Sequence, residues 1–154
     1  MTNQILIAIG NSARGDDGLG WAFAEALEQQ VGFAGDIVYR YQLQVEDAEL
    51  ISRYRRVVFV DAWQGTGPDV KCVACTPVPA FSYTTHKVEP EALLHLCADL
   101  YEAKPLARCL MIRGERWGLG DDISPQGIKG LENALRLFRE RPAEIWSSTA
   151  IPAQ

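Results

Sequence analysis

The sequence predicts an α/β domain: a mostly parallel sheet with helices on both faces. Three observations predict it. Short apolar runs recur along the chain as buried-type strands. Stretches with apolar residues at helical spacing separate them. The whole alternation fits in 154 residues, the length of one domain with one core.

The elements follow in order. Ile5 to Ile9 is a short apolar run and reads as a fully buried strand. Leu19, Ala22, Phe23, Ala26 and Leu27 then recur at helical spacing, and Gly32 and Gly35 stop that helix. "IVYRYQ" from Ile37 to Gln42 is β-branched and aromatic, a second strand. "EDAELISRY" predicts a helix of a few turns, and "VVFVDA" at 57–62 a third strand that reaches Asp61 near its end. "VKCVAC" is a fourth strand, followed by a proline-containing connection. Pro90 fits the first turn of a helix whose apolar face is Leu93, Leu94, Leu96, Cys97 and Leu100. "ARCLMI" is a fifth strand. Ser124 and Pro125 read as cap and first residue of a last helix, through about Arg139. The expected domain is 1–141, with 142–154 a loose tail.

Bulk composition excludes several classes. The formal net charge is −5, and "RYRR" at 53–56 is too short for a phosphate-tracking stripe, so nucleic acid is not expected as a partner. No apolar run approaches the roughly 20 residues of a membrane span. The first residues, "MTNQILIAIG", lack a basic leader and begin a strand at once. A cytoplasmic location without membrane association is expected. No exposed apolar helix stripe stands out, and a monomer is expected.

Four cysteines, Cys72, Cys75, Cys97 and Cys109, lie in apolar surroundings and read as small buried hydrophobes. "CVAC" has the spacing of half a zinc site but no second pair. Its strand alternation puts Cys72 and Cys75 on opposite faces, which favours the packing role.

In open α/β sheets, ligands bind beyond the carboxyl ends of the strands. Three groups fall there. Asn11, Asp16 and Asp17 follow the first strand, Asp61 closes "VVFVD", and His86 precedes the third helix. Two carboxylates and one imidazole suit a borderline divalent metal such as zinc or nickel and leave positions open. Each also has a plain structural reading. Asp16 and Asp17 stand before a helix, where an acid caps amides and complements the dipole. Asp61 fits the start of a turn with "WQGTG". His86 fits a surface loop. His95, four residues after Glu91, is read as structural, and Arg113, Glu115 and Arg116 as a charged rim or a solvated loop.

The loop "GNSARGDDG" has the shape of a phosphate cradle but lacks the glycine spacing of a dinucleotide fingerprint and the lysine of a P-loop. It places two carboxylates where a pyrophosphate would lie, so its charge favours a cation. No G-x-S-x-G elbow is present. A hydrolase built on this chain would use metal-assisted attack by water rather than a covalent intermediate.

Four segments together, "IAIGNSARGDDGLG", "VVFVDAWQGTGP", "TTHKVEPEALLHL" and "LMIRGERWGLGDDISP", resemble in order the nickel–iron hydrogenase maturation endopeptidases. The likeness runs from about residue 5 to about residue 140. The resemblance implies a single three-layer α/β/α domain with a twisted, mixed, mostly parallel sheet of about five strands. It implies an endopeptidase that removes the C-terminal extension of the hydrogenase large-subunit precursor after nickel insertion. Nickel would come with the precursor, and no organic cofactor is implied. By motif position Asp17, Asp61 and His86 are the implied nickel-contacting residues and the candidates for catalysis. Gly10, Asn11 and Asp16 are the supporting loop, with Asp16 in a capping or loop-shaping role. Many relatives carry a D-G-G-[ST] segment where this chain reads "YQLQVEDAELI", which resembles a branch associated with soluble cytosolic hydrogenases. Several relatives have Glu at the position of Asp17. The alternative is a non-catalytic nickel-sensing chaperone or binding module for the same large subunit.

Overall fold

The computed structural model describes residues 3–79 and 88–147 and the backbone of 151–153. The elements are β1 (Gln4–Ile9), a 3₁₀ turn (Gly15–Gly18), α1 (Leu19–Ala26) continued by a π-helical segment (Leu27–Val31), β2 (Asp36–Arg40), α2 (Asp47–Ile51), β3 (Arg56–Trp63), β4 (Val70–Cys75), α3 (Pro90–Tyr101), β5 (Leu106–Arg113), α4 (Pro125–Glu140), α5 (Pro142–Ile145) and β6 (Ile151–Ala153).

The strands form one six-stranded sheet in the order β2-β1-β3-β5-β4-β6. The first four in that order are parallel, β4 runs antiparallel to β5, and β6 antiparallel to β4. This is the mostly parallel, mixed α/β sheet expected, with one more strand than the sequence suggested. The added strand and α5 lie in the segment expected to be a loose tail.

Strand alternation divides the interior into two apolar layers. Leu6, Ala8, Val58, Val60, Leu110 and Ile112 face one layer with Phe23, Leu27, Ala134 and Leu137 of the helical segments. Ile5, Ile7, Val57, Phe59, Ala107 and Cys109 face the other, with Ala48, Leu93, Leu94 and Cys97. Helices therefore cover both faces. Each large apolar side chain taken out of water contributes about 1.5–3 kcal/mol, and Phe23, Phe59, Leu93 and Leu110 are buried almost completely.

Local details depart from expectation for identifiable reasons. The first helix is not uniform: it enters as a 3₁₀ turn and leaves as a π segment, which Gly32 ends at φ +87°. The helix in "EDAELISRY" is only Asp47–Ile51. Leu100, assigned above to the apolar face of α3, is 64% exposed because that helix buries Leu93, Leu94 and Cys97 instead. Pro90 and Pro125 each open their helix, and the Ser124 hydroxyl accepts from the amide of Gly127 at 2.9 Å, as a cap residue should.

The chain from 142 is tied to the sheet by a buried arginine. Arg108, on β5, donates to the carbonyls of Ile145 (2.8 Å), Trp146 (3.0 Å) and Ser147 (2.8 Å), and to that of Ala107 (2.9 Å). Its guanidinium also lies 5.6 Å from the Trp146 ring. A buried cation needs such partners, and here they are the carbonyls at the end of α5.

Candidate functional site

β1 stands between β2 and β3, so the connections leaving β1 and β2 go to opposite sides of it. This is a topological switch point, where an α/β sheet opens a crevice beyond the carboxyl ends of its strands. The loop after β1 and the last residues of β3 border that crevice.

Glycines let the loop fold back on the strand end. Gly10 has φ +151°, and a Cβ there would lie 2.1 Å from the carbonyl oxygen of Asp17. Gly20 presses α1 onto the sheet, where a Cβ would come 2.5 Å from the carbonyl oxygen of Ile9 and 2.8 Å from that of Val60. The start of α1 therefore sits directly over the carboxyl ends of β1 and β3. Within the loop, the amide of Asn11 donates to the carbonyl of Asp17 (2.9 Å), that of Asp17 to the carbonyl of Arg14 (3.1 Å), and that of Ala13 to the Asn11 side chain (2.9 Å). These amides already have acceptors inside the protein, which weighs further against a phosphate cradle.

The two aspartates of the pair have different surroundings. Asp16 is fully buried. Its carboxylate accepts from the amides of Glu115 (2.6 Å), Arg116 (2.9 Å) and Ser124 (2.8 Å), and from the Ser124 hydroxyl (2.6 Å). Its own amide donates to the carbonyl of Arg116 at 2.7 Å. Burial pushes the Asp16 carboxyl up, but the Ser124 hydroxyl and the amides of Arg116, Glu115 and Ser124 outweigh it and hold the group below the usual carboxylate value. Asp16 does not cap its own helix, since neither the 3₁₀ turn nor α1 has a side-chain cap. It shapes the loop by tying it to the segment after β5.

That segment is moulded around the carboxylate. A Cβ at Gly114 would lie 2.5 Å from the Asp16 Cβ, and one at Gly127 2.6 Å from its Oδ1. Gly15, at φ +56°, passes the carbonyl of Arg116, where a Cβ would approach to 2.7 Å. Further bonds join the two loops and β3: Gly120 donates to the carbonyl of Ala13 (2.8 Å) and Gly114 to that of Trp63 (3.0 Å).

Asp17 is half-buried, in the 3₁₀ turn, with its backbone held by Asn11 and Arg14. Asp61 is half-buried near the end of β3, opposite Met111 of β5, and its Oδ1 accepts from the amide of Ala62 at 2.8 Å. Asp17 thus follows the carboxyl end of β1, and Asp61 lies near that of the adjacent, parallel β3. His86 lies outside the described residues. His95 sits on α3 with its Nε2 3.3 Å from the carboxylate of Asp99. Glu115 and Arg116 are exposed, and their amides hold Asp16; Arg113 lies 3.7 Å from Asp69. An open cleft beside the loop is lined by Ser12, Trp21, Glu25, Asp122 and Ile128 among others.

Two clusters were not anticipated from the sequence. Asp69, just before β4, accepts from the side chains of Gln126 (2.6 Å) and Asn133 (3.2 Å) and pairs with Lys129 (3.6 Å) and Arg113 (3.7 Å), fastening α4 to the sheet. Cys75, Glu91 and Cys109 gather on the α3 side of β4 and β5. Cys72 faces the opposite layer from Cys75, as strand alternation predicted, and burial pushes its thiol up to about 11.

The arrangement defines a three-layer α/β/α protein with acidic residues beyond the carboxyl ends of neighbouring strands, and solved structures share this fold. The hydrogenase maturating endopeptidase HybD from E. coli is similar, with TM-score 0.72, 19% identity and 97% of each chain covered. The [NiFe] hydrogenase maturation protease HycI from Thermococcus kodakarensis KOD1 has TM-score 0.67 and 21% identity over 94% of this chain and 92% of its own. The endopeptidase HycI from Escherichia coli has TM-score 0.65 and 24% identity over 88% of each. No protein-family model matches the sequence, and no curated protein matches it. This chain has the fold of the hydrogenase maturation proteases.

Proposed function

We propose that this protein is an endopeptidase that removes the C-terminal extension of a nickel-loaded hydrogenase large-subunit precursor. The observation that carries the reading is the position of Asp17 in the loop after β1 and of Asp61 near the carboxyl end of the neighbouring β3, with Asp16 fixing that loop. The four sequence segments that resemble the maturation endopeptidases and the shared fold support it.

Asp17 and Asp61 supply anionic oxygen ligands and His86 an imidazole to the nickel that the precursor presents. This incomplete set leaves positions for the precursor's own ligands. A loaded precursor is preferred over an empty one by the difference in coordination, which is specificity as a difference of affinities. Against Glu at the same position, Asp17 is shorter by one methylene, so the loop must bring the ion closer.

The test is incubation of the protein with nickel-loaded and nickel-free precursor, reading the C-terminal mass. Cleavage of the loaded form alone is expected. Tight binding of the loaded form with no cut would establish instead the nickel-sensing chaperone. Equal cleavage of both would remove the metal-sensing role.

A further inference from the structure

We propose that Cys75, Glu91 and Cys109 form a separate site for a thiophilic divalent ion of the zinc class. One ligand atom from each, two sulfurs and a carboxylate oxygen, lies within 4.8 Å of the others. Tetrahedral zinc, with Zn–S of about 2.3 Å, holds its sulfurs about 3.8 Å apart, so small side-chain adjustments close the site.

All three ligands stand on regular elements. Cys75 ends β4, and Cys109 lies on β5, opposite Val73, on the same face of the sheet. Glu91 is in the first turn of α3, and its carbonyl accepts from the amide of Val78 at 3.1 Å, which fastens that turn beside the exit of β4. Both cysteines are buried and Glu91 is half-buried. Two sulfurs and one oxygen are a borderline-soft donor set, unlike the oxygen-rich crevice at the switch point. Among the described residues the donors are these three, and water would complete a tetrahedral shell. Binding releases the protons of the two thiols, and the bound ion cross-links β4, β5 and α3.

The site is tested on the reduced full-length protein by titration with Co²⁺ under anaerobic conditions. One equivalent is expected to give thiolate-to-cobalt absorption in the near ultraviolet, which Zn²⁺ then abolishes. Cys72→Ala should retain the band, since its thiol faces the other layer. A double Asp17→Asn, Asp61→Asn variant should retain it too, which separates this site from the crevice. Cys75→Ser and Cys109→Ser should lose it. Glu91→Gln should keep the fold and bind cobalt more weakly, on the order of tenfold or more, since changes just outside a metal's ligand shell already cost that much. Absence of a thiolate band in the wild-type protein would overturn the proposal, whatever the serine variants do. So would a band that survives either serine substitution.

Discussion

The Ser124 hydroxyl donates to Asp16 Oδ2 at 2.6 Å while the Ser124 amide donates to Oδ1 at 2.8 Å, so one residue grips both oxygens of a buried carboxylate 108 positions away. Ser124 is also the cap of α4. The loop after β1 and the start of the last long helix are therefore one structural unit.

Replacing Asp16 should damage the fold. Asp16→Ala leaves the amides of Glu115, Arg116 and Ser124 without their acceptor, and each buried unsatisfied group costs about 1–3 kcal/mol. A loss on the order of 3 kcal/mol or more is expected in urea unfolding. Asp17→Asn, at a half-buried position, should stay within about 1 kcal/mol of wild type. Processing of the precursor should vanish in Asp17→Asn despite the intact fold. Equal stability of the Asp16 and Asp17 variants would remove the structural distinction drawn between them.

Acid should act through the same carboxylates. Asp16 and Asp69 are both held below the usual carboxylate value in the folded protein. Each therefore adds stability that is complete above the unfolded value, about pH 4, and is lost as pH falls through the lower folded value. Stability measured from pH 7 downward should be flat and then decline below about pH 4. Asp16→Asn should make that acid limb shallower. An unchanged limb would show that the Asp16 contacts do not favour its charged form.

Two glycines give a paired test of space against backbone strain. At Gly127 a methyl group would meet the Asp16 carboxylate at 2.6 Å, so Gly127→Ala must displace the buried ion and should cost about 1–3 kcal/mol. Gly32 has φ +87° and ψ 150°, a conformation nearly confined to glycine, with no described atom within 4 Å of a new Cβ, so Gly32→Ala meets only the backbone penalty, about 1–3 kcal/mol. Both variants should melt below wild type, and only the Gly127→Ala loss should shrink when Asp16 is also changed to Ala.

The segment after 141 should prove necessary for stability. Ending the chain at Arg141 removes three of the carbonyls that Arg108 reaches and uncovers a buried cation. Charge-assisted hydrogen bonds contribute about 1.5–3 kcal/mol each, so the melting temperature should fall by several degrees or more. Arg108→Met in the shortened chain should recover part of the loss. A shortened chain as stable as the full one would show that Arg108 finds equivalent partners elsewhere.

What could be read from the sequence was what short-range pattern encodes. Strand runs such as Ile5 to Ile9, the opposite facing of Cys72 and Cys75, and the Ser124–Pro125 helix start all depend on neighbours a few residues apart. The carboxyl-end rule also put Asp17 after the first strand and Asp61 near the end of the third, which is where the structure has them. The rest depends on contacts between distant segments. A capping acid was a reasonable reading of Asp16 beside a helix, yet its acceptors serve amides about a hundred residues on. The glycines at 114 and 127 carry no local signal of their purpose, which is to leave room for that carboxylate. Arg108 sits in "ARCLMI" like an interruption of a strand, and only the carbonyls of residues 145–147 explain it. The Cys75–Cys109 pairing needed the antiparallel register of β4 and β5.

The bond between Asp16 and Ser124 also fixes an order of events during synthesis. A nascent chain that has emerged only as far as β5 contains the acidic loop but none of the Glu115, Arg116 and Ser124 donors that hold it. Its first carboxylate then lacks the four hydrogen bonds that hold it in the folded protein. Once α4 starts, the amide and hydroxyl of Ser124 can take up both oxygens of Asp16. The loop after β1 thus gains its last hydrogen bonds only when most of the chain has been made.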